Sequence, residues 1–332
     1  MRAAPGTAAS SPELAAVQAR VRAGLERVEA ALHEAVATAD PFVEEAAGYL
    51  VSAGGKRLRP TLVLLAGHVG DPEADALVGA AVAIELTHLS SLYHDDVMDE
   101  AEVRRGMRSA NARFDNKVSI LTGDYLFARA SEVTAGLGTE ATRVLARAIA
   151  RLVEGQIREV RGPLDGEDPV EQYLGVLADK TGALIAAACR LGGYLSGAPP
   201  EAVAALDEYG ERVGRAFQLG DDLLDVTGET ARAGKRPGTD LRAGVRTLPV
   251  LLALGRGGPD AARLARILGG ERDDRAVAEG LALLRGSPAL AEARRFAQGD
   301  VDRAKAALGP LPPGPVRRAL EEVADQVLDR QI

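Results

Sequence analysis

The sequence predicts an all-α protein, a single large helical bundle. Three observations carry that expectation. Ala, Leu, Glu and Arg are abundant in the 332 residues, aromatic residues make up 3% and Trp is absent, which favours helix over sheet. Long stretches between Gly- and Pro-rich breaks carry apolar residues at helical spacing. Two aspartate clusters of one form, Asp95-Asp96-Val97-Met98-Asp99 and Asp221-Asp222-Leu223-Leu224-Asp225, each end such an apolar pattern.

In chain order, Met1 to Pro12 is small and polar, lacks the apolar core of a secretory signal, and is expected to be disordered. One folded domain is expected from Glu13 to Ile332, because the motifs run through one set of helices without a linker. Gly54-Gly55-Lys56-Arg57-Leu58-Arg59-Pro60 is a glycine-led basic turn before the apolar run Leu62 to Ala66. Gly67 to Pro72 breaks the pattern, and the next helix runs through Leu89, Leu92 and Tyr93 into the first cluster. Gly162-Pro163 closes a further helical region, and Lys180-Thr181 precedes the apolar run Ala183 to Leu191. Gly197-Ala198-Pro199-Pro200 opens the helix of Val213, Phe217 and Leu219, which ends in the second cluster. Gly255 to Pro259 and Gly309 to Pro315 mark the last turns. No stretch reaches the roughly 18 uninterrupted apolar residues of a membrane span, so a soluble cytoplasmic protein is expected.

Positions i and i+4 of an α-helix share a face, so Asp95 with Asp99, and Asp221 with Asp225, each point two carboxylates one way. Carboxylate pairs suit Mg²⁺, which keeps several waters and is commonly held by one or two protein carboxylates plus substrate phosphates. Two such claws imply a polyphosphate between them. An acidic run is often only a solvated helix face, but here both lie on helices with apolar faces, where unpaired carboxylates are costly. Asp95, Asp99 and Asp221 are the expected direct ligands; Asp96, Asp222 and Asp225 support them or bind through water.

The neighbouring segments are cationic: the turn at Lys56, Arg57 and Arg59, and Arg104-Arg105-Gly106 after the first cluster. Arginine forks and lysine ammoniums bind phosphate. With a net charge of −8 and a pI near 5.3, the chain offers no nucleic-acid surface, and the basic clusters read as seats for small anions. Cys189, the lone cysteine, excludes an internal disulfide and reads as a small core residue. His33 and His68 form no cluster; His94 is expected to support the ligands rather than bind.

Over nearly its whole length the chain resembles the trans-isoprenyl diphosphate synthases, the polyprenyl synthetase family. His94 through Arg104-Arg105-Gly106 resembles the family's first aspartate-rich motif and Phe217 to Asp225 its second. Gly54 to Pro60, Gly123-Asp124, Lys180-Thr181, Gly234-Lys235 and Gly238-Thr239-Asp240-Leu241 fall in the family's order. One departure stands out. The family commonly reads Gly-Lys-x-Thr-Leu-Pro where this chain has Gly244-Val245-Arg246-Thr247-Leu248-Pro249, so a diphosphate-contacting lysine is missing.

The resemblance implies the isoprenoid synthase fold, and condensation of isopentenyl diphosphate with an allylic diphosphate (dimethylallyl, geranyl, farnesyl or geranylgeranyl) into an all-trans polyprenyl diphosphate. It also implies Mg²⁺, three ions per site with Mn²⁺ as a substitute, and a homodimer that passes its product to a membrane. Arg104, Lys180, Thr181, Gln218 and Lys235 match positions that hold the allylic diphosphate, with Lys180 also aiding ionisation. Lys56, Arg59, His88 and Arg105 match those holding isopentenyl diphosphate without metal.

Product length should depend on room beneath the first claw. Counting back by fours from Asp95 gives Ser91, Thr87, Ala83 and Gly79, all small, with Ser90 beside them. A growing chain gains about 0.8 kcal/mol per buried CH₂, so an open groove there would favour a long product, heptaprenyl to nonaprenyl, of the kind used in quinone side chains. The same row also permits close helix packing. The rivals are a short-chain farnesyl or geranylgeranyl diphosphate synthase, a class I terpene cyclase, which normally lacks the second cluster, and a non-catalytic synthase subunit, which typically loses the aspartates.

Overall fold

The computed structural model describes residues 12–228 and 237–329. Of the N-terminal segment expected to be disordered, only Pro12 is described, and it opens the first helix. The helices are α1 (Pro12–Val36), α2 (Pro41–Ser52), α3 (Leu58–Gly67), α4 (Ala76–Met98), α5 (Ala110–Phe114), α6 (Asn116–Gly136), α7 (Thr139–Arg161) and α8 (Pro169–Leu177). A π turn, Ala178–Gly182, leads into α9 (Ala183–Leu195), followed by α10 (Pro200–Thr227), α11 (Thr239–Ala243) and α12 (Leu248–Gly255). The chain closes with α13 (Gly258–Gly269), α14 (Asp274–Gly286), α15 (Pro288–Ala307) and α16 (Pro315–Asp329).

Starts are written locally. Asp40 and Asp168 each precede a proline, and their carboxylates accept the amides of Phe42 and Val43, and of Val170 and Glu171, which caps α2 and α8. The all-α expectation misses one small element. Val103–Arg104 and Met107–Arg108 form a β-hairpin (β1 and β2) whose two-residue turn, Arg105-Gly106, has positive φ at both positions, the geometry that matches strand twist in the tightest hairpins.

Two helices organise the bundle. α4 packs against α6, α3, α9 and α1, and α10 packs against α9, α15 and α16. By length and composition α4 could cross a membrane, yet two-thirds of that stretch is buried, so its apolarity is that of a core helix. Leu86, Leu89 and Ile84 on it are fully buried, each contributing about 1.5–3 kcal/mol. Tyr93 ties it to α2 by donating to the Ala46 carbonyl at 2.5 Å. Close approach relies on missing side chains: a Cβ on Gly123 of α6 would sit 2.3 Å from the His94 ring, and one on Gly210 of α10 would sit 2.7 Å from Ala186 Cα.

Candidate active site

The first claw occupies the last turn of α4. Asp99 is the residue after Met98, but its amide still donates to the Asp95 carbonyl at 2.8 Å, so the i, i+4 alignment persists one step past the helix. Burial pushes the Asp95 carboxyl up to about 6, with Lys180 opposing and Asp99 reinforcing the rise. Asp96 lies about 100° round the helix from Asp95 and is fully buried. Its Oδ1 accepts from Arg104 Nε at 2.7 Å and Nη2 at 2.6 Å, while Oδ2 is buried without a hydrogen-bond partner.

The second claw, at the end of α10, repeats the pattern. Asp222 is buried, and the Tyr173 hydroxyl donates to its Oδ2 at 2.6 Å. Burial pushes its carboxyl up to about 7, against hydrogen bonds from Tyr173 and Gln218. Asp225 accepts the Thr239 amide on Oδ1 at 3.0 Å and the Asp240 amide on Oδ2 at 3.1 Å, so its carboxylate anchors the start of α11. Asp221, like Asp95, is half-buried.

Lys180 lies in the π turn. Its Nζ pairs with Glu159 Oε2 of α7 at 2.6 Å, and among charged groups it has the largest effect on Asp95. Glu159 in turn acts on Tyr173, the partner of Asp222. Thr181, in the same turn, points its hydroxyl at Gln218 Oε1 at 3.5 Å. Among the described residues no three His, Cys, Asp or Glu side chains converge into a closed cage. Open carboxylate pairs suit an ion that completes its octahedron with water and phosphate oxygens, and the orphaned Asp96 Oδ2 is a hard donor of the right kind. The donor set fits Mg²⁺.

The cationic seat gathers residues from three elements. Arg57, in the left-handed conformation (φ 48°), is held by Glu29 at 2.5 Å and Glu85 at 2.7 Å. It is therefore a structural arginine. Arg59 is half-buried, its Nε is buried with no hydrogen-bond partner, and desolvation lowers its pKa to about 10. Burial, then the guanidiniums of Arg59, Arg105, Arg104 and Arg57, depress His88 well below the ordinary histidine range, so it is neutral. Arg105 donates to the Gly54 carbonyl. A Cβ on Gly55 (φ 152°) would lie 3.0 Å from the Arg105 guanidinium carbon, which is why glycine leads the turn. Lys56 is exposed, and Lys235 lies outside the described residues.

The row beneath Asp95 is more committed to packing than the groove expectation supposes. Ser90 is buried and donates to the Gly123 carbonyl of α6 at 2.8 Å; Thr87 is buried and bonds to the Ala83 carbonyl. A Cβ on Gly79 would meet Leu137 at 3.3 Å. Ser91 is only half-buried. A cavity of about 630 Å³ opens instead between α7, α8 and the segment before α12, walled by Glu159, Tyr173, Val176, Val245, Arg246 and Leu254. Both residues of the departing motif thus border one space with Glu159 and Tyr173. The sequence reading missed those last two. For Glu159 a signal existed, since Arg151, Gly155, Arg158 and Glu159 share one face of α7; Tyr173 had none.

The polyprenyl synthetase family model matches residues 40–283. The chain belongs to this family of prenyltransferases. It is 48% identical over 330 residues to a nonaprenyl diphosphate synthase of Mycobacterium tuberculosis (strain ATCC 25618 / H37Rv), covering 98% of each chain. Among solved structures, a decaprenyl diphosphate synthase from Rhodobacter capsulatus superposes with a TM-score of 0.87 at 35% identity, covering 96% of this chain and 99% of that one. A geranylgeranyl pyrophosphate synthase from Corynebacterium glutamicum, complexed with calcium and isoprenyl diphosphate, gives 0.85 at 42% identity over 96% and 98%.

Proposed function

We propose that this prenyltransferase condenses isopentenyl diphosphate with an allylic diphosphate, repeatedly, into an all-trans polyprenyl diphosphate of heptaprenyl to nonaprenyl length. The observation that carries the reaction is the pair of aspartate claws at the ends of α4 and α10, with Lys180 of the π turn paired to Glu159 and an arginine-rich seat beside the first claw. Similarity to the nonaprenyl and decaprenyl synthases supports the long product. The likeness to a geranylgeranyl synthase keeps a shorter product as the rival.

The difficult step is ionisation of the allylic C–O bond, which places negative charge on the departing diphosphate. Mg²⁺, when bound, supplies positive charge where that charge develops. Asp95, Asp99 and Asp221 would hold it, and Lys180 adds a fixed ammonium to the same side. Asp96 and Asp222 keep the claws in register, one through Arg104 and one through Tyr173. Arg59, Arg105 and neutral His88 hold isopentenyl diphosphate so that its double bond attacks the allylic cation. With no strong protein base evident among the described residues of the site, the released diphosphate accepts the proton of the final elimination.

The enzyme acts as a homodimer. Supporting this are adjoining apolar faces on α6 and α7: Ile120, Leu121 and Phe127 are exposed, and Val153, Ile157 and Val160 form an exposed seam at helical spacing, Val160 at 79%. It works in the cytoplasm and hands its insoluble product to a membrane. Incubation of the protein with Mg²⁺, an allylic diphosphate and labelled isopentenyl diphosphate, with extracted products sized by chromatography, tests the activity. A product no longer than geranylgeranyl diphosphate would overturn the long-chain assignment, and absence of elongation would overturn the reaction.

A further inference from the structure

Lys180 sits in a π turn, Ala178–Gly182, between two regular helices. Such a turn amounts to an extra residue set into a helix, has poorer backbone geometry than the α form, and recurs at functional sites. It persists where the surroundings hold it.

Three contacts hold this one. On the α7 side, a Cβ on Gly155 would stand 2.7 Å from the Lys180 amide nitrogen and 3.0 Å from Asp179 Cβ. On the α10 side, a Cβ on Gly214 would stand 2.6 Å from Gly182 Cα. The widened turn is thus pressed between two helices that approach it with bare backbone. The third contact is a clamp of charge. Asp179 Oδ1 accepts from Arg151 Nε at 2.9 Å, and its other oxygen pairs with Arg158. Arg151 continues to Glu211 of α10 at 2.9 Å, so one arginine fastens the turn to both neighbours.

Asp179 and Lys180 are consecutive, so their side chains leave the turn in different directions. The first goes to the arginines of α7, and the second to Glu159 of the same helix. Fixing one fixes the other. We propose that Asp179 is a positioning residue for the allylic diphosphate: clamped by Arg151 and Arg158, it holds the π turn that keeps Lys180 paired with Glu159. This rests on Lys180 being a cation for that diphosphate. Without the clamp the extra residue has no anchor. A relaxation by one residue toward the α register would swing the Lys180 side chain by about 100°.

The test compares Asp179→Asn, Asp179→Glu and Lys180→Met in the full-length protein, by steady-state kinetics with each substrate varied and by amide hydrogen exchange over residues 178–183. Asp179→Asn should raise KM for the allylic diphosphate about tenfold, the scale on which supporting partners act, and speed exchange in the turn. KM for isopentenyl diphosphate should stay within about twofold, and Asp179→Glu should recover most of the loss. Equal rises in both KM values, faster exchange with unchanged kinetics, no change in either readout, or an Asp179→Glu variant as impaired as Asp179→Asn would each overturn the proposal. Lys180→Met checks the premise separately. If that variant keeps the wild-type allylic KM, the proposal falls through Lys180 and not through the clamp.

Discussion

Asp222→Asn should remove most of the proton release that accompanies binding of metal and allylic diphosphate near pH 6.5. In the metal-free protein burial holds the Asp222 carboxyl near 7, so at pH 6.5 it carries about 0.8 of a proton, falling to about 0.1 at pH 8. A bound cation requires the ionised form, and binding must expel what is there. The assay is titration calorimetry with Mg²⁺ and an unreactive thiolo analogue of the allylic diphosphate, in two buffers of different ionisation enthalpy. The ligand's own protons cancel when wild type is compared with variant. The difference should be about 0.8 proton at pH 6.5 and about 0.1 at pH 8. Linkage adds a second readout with a definite sign. The folded value lies above the ordinary 3.8, so this group's contribution to stability is complete below about pH 4 and is lost as pH rises through about 7. The loss is capped at about 4 kcal/mol, from 1.36 kcal/mol per pH unit across that gap. Metal-free Asp222→Asn should therefore gain melting temperature relative to wild type between pH 5 and 8. Equal proton release by both proteins at pH 6.5, with no such gain, would refute the reasoning.

Asp95→Ala or Asp221→Ala should each slow turnover by about 10² or more with Mg²⁺ saturating, the scale of removing one preorganised electrostatic group; near-normal turnover in a variant shown folded by circular dichroism would remove the claws from catalysis. Lys56→Ala and Arg105→Ala should raise KM for isopentenyl diphosphate more than for the allylic substrate, and Arg104→Ala should do the reverse; equal effects would reassign the two seats. Inorganic diphosphate without Mg²⁺ should raise the melting temperature of wild type but not of Arg59→Met, and matching shifts would show that the anion does not reach the guanidinium. Ser91→Phe should shorten the product while leaving the first additions intact, and an unchanged length distribution would show that the row is packing alone. Ser91 serves better than Ser90, where a ring would break a buried contact with α6.

The i, i+4 rule made much of the site legible in advance. It put Asp95 with Asp99 and Asp221 with Asp225 on shared faces, and it separated Asp96 and Asp222 by about 100°; the structure adds that both of these are buried and hydrogen-bonded. His88, two turns before Asp95, was singled out by the family resemblance and its place near the same helix face. What escaped the reading depends on tertiary geometry. The hairpin around Arg105-Gly106 has strands of two residues each, too short to carry alternation. Tyr173 reaches Asp222 across 49 positions, with nothing local to mark it. Small residues at Ser90 and Gly79 announce close approach but not what approaches, and α6 fills the space at both.

Two neighbouring arginines show how the same side chain serves opposite ends. Arg57 has two carboxylates on it, so its charge is spent on joining α1, α3 and α4, and those pairings raise its pKa against the pull of burial. Arg59, two residues on, is half-buried, with a buried, unpartnered Nε and a pKa lowered to about 10. Its nearest charged influences are Glu85, which Arg57 already uses, and Arg105, which repels it. A desolvated cation without a full set of partners costs stability until an anion arrives. A diphosphate seated there would pair Arg59 and relieve its repulsion with Arg105. His88, kept neutral by burial and then by the same guanidiniums, would offer a hydrogen bond without adding to that repulsion. The fold concentrates cations at this seat beyond what Glu29 and Glu85 neutralise, which suits an anion without metal, whereas the carboxylate-rich claws would need a cation such as Mg²⁺ to accept a second diphosphate.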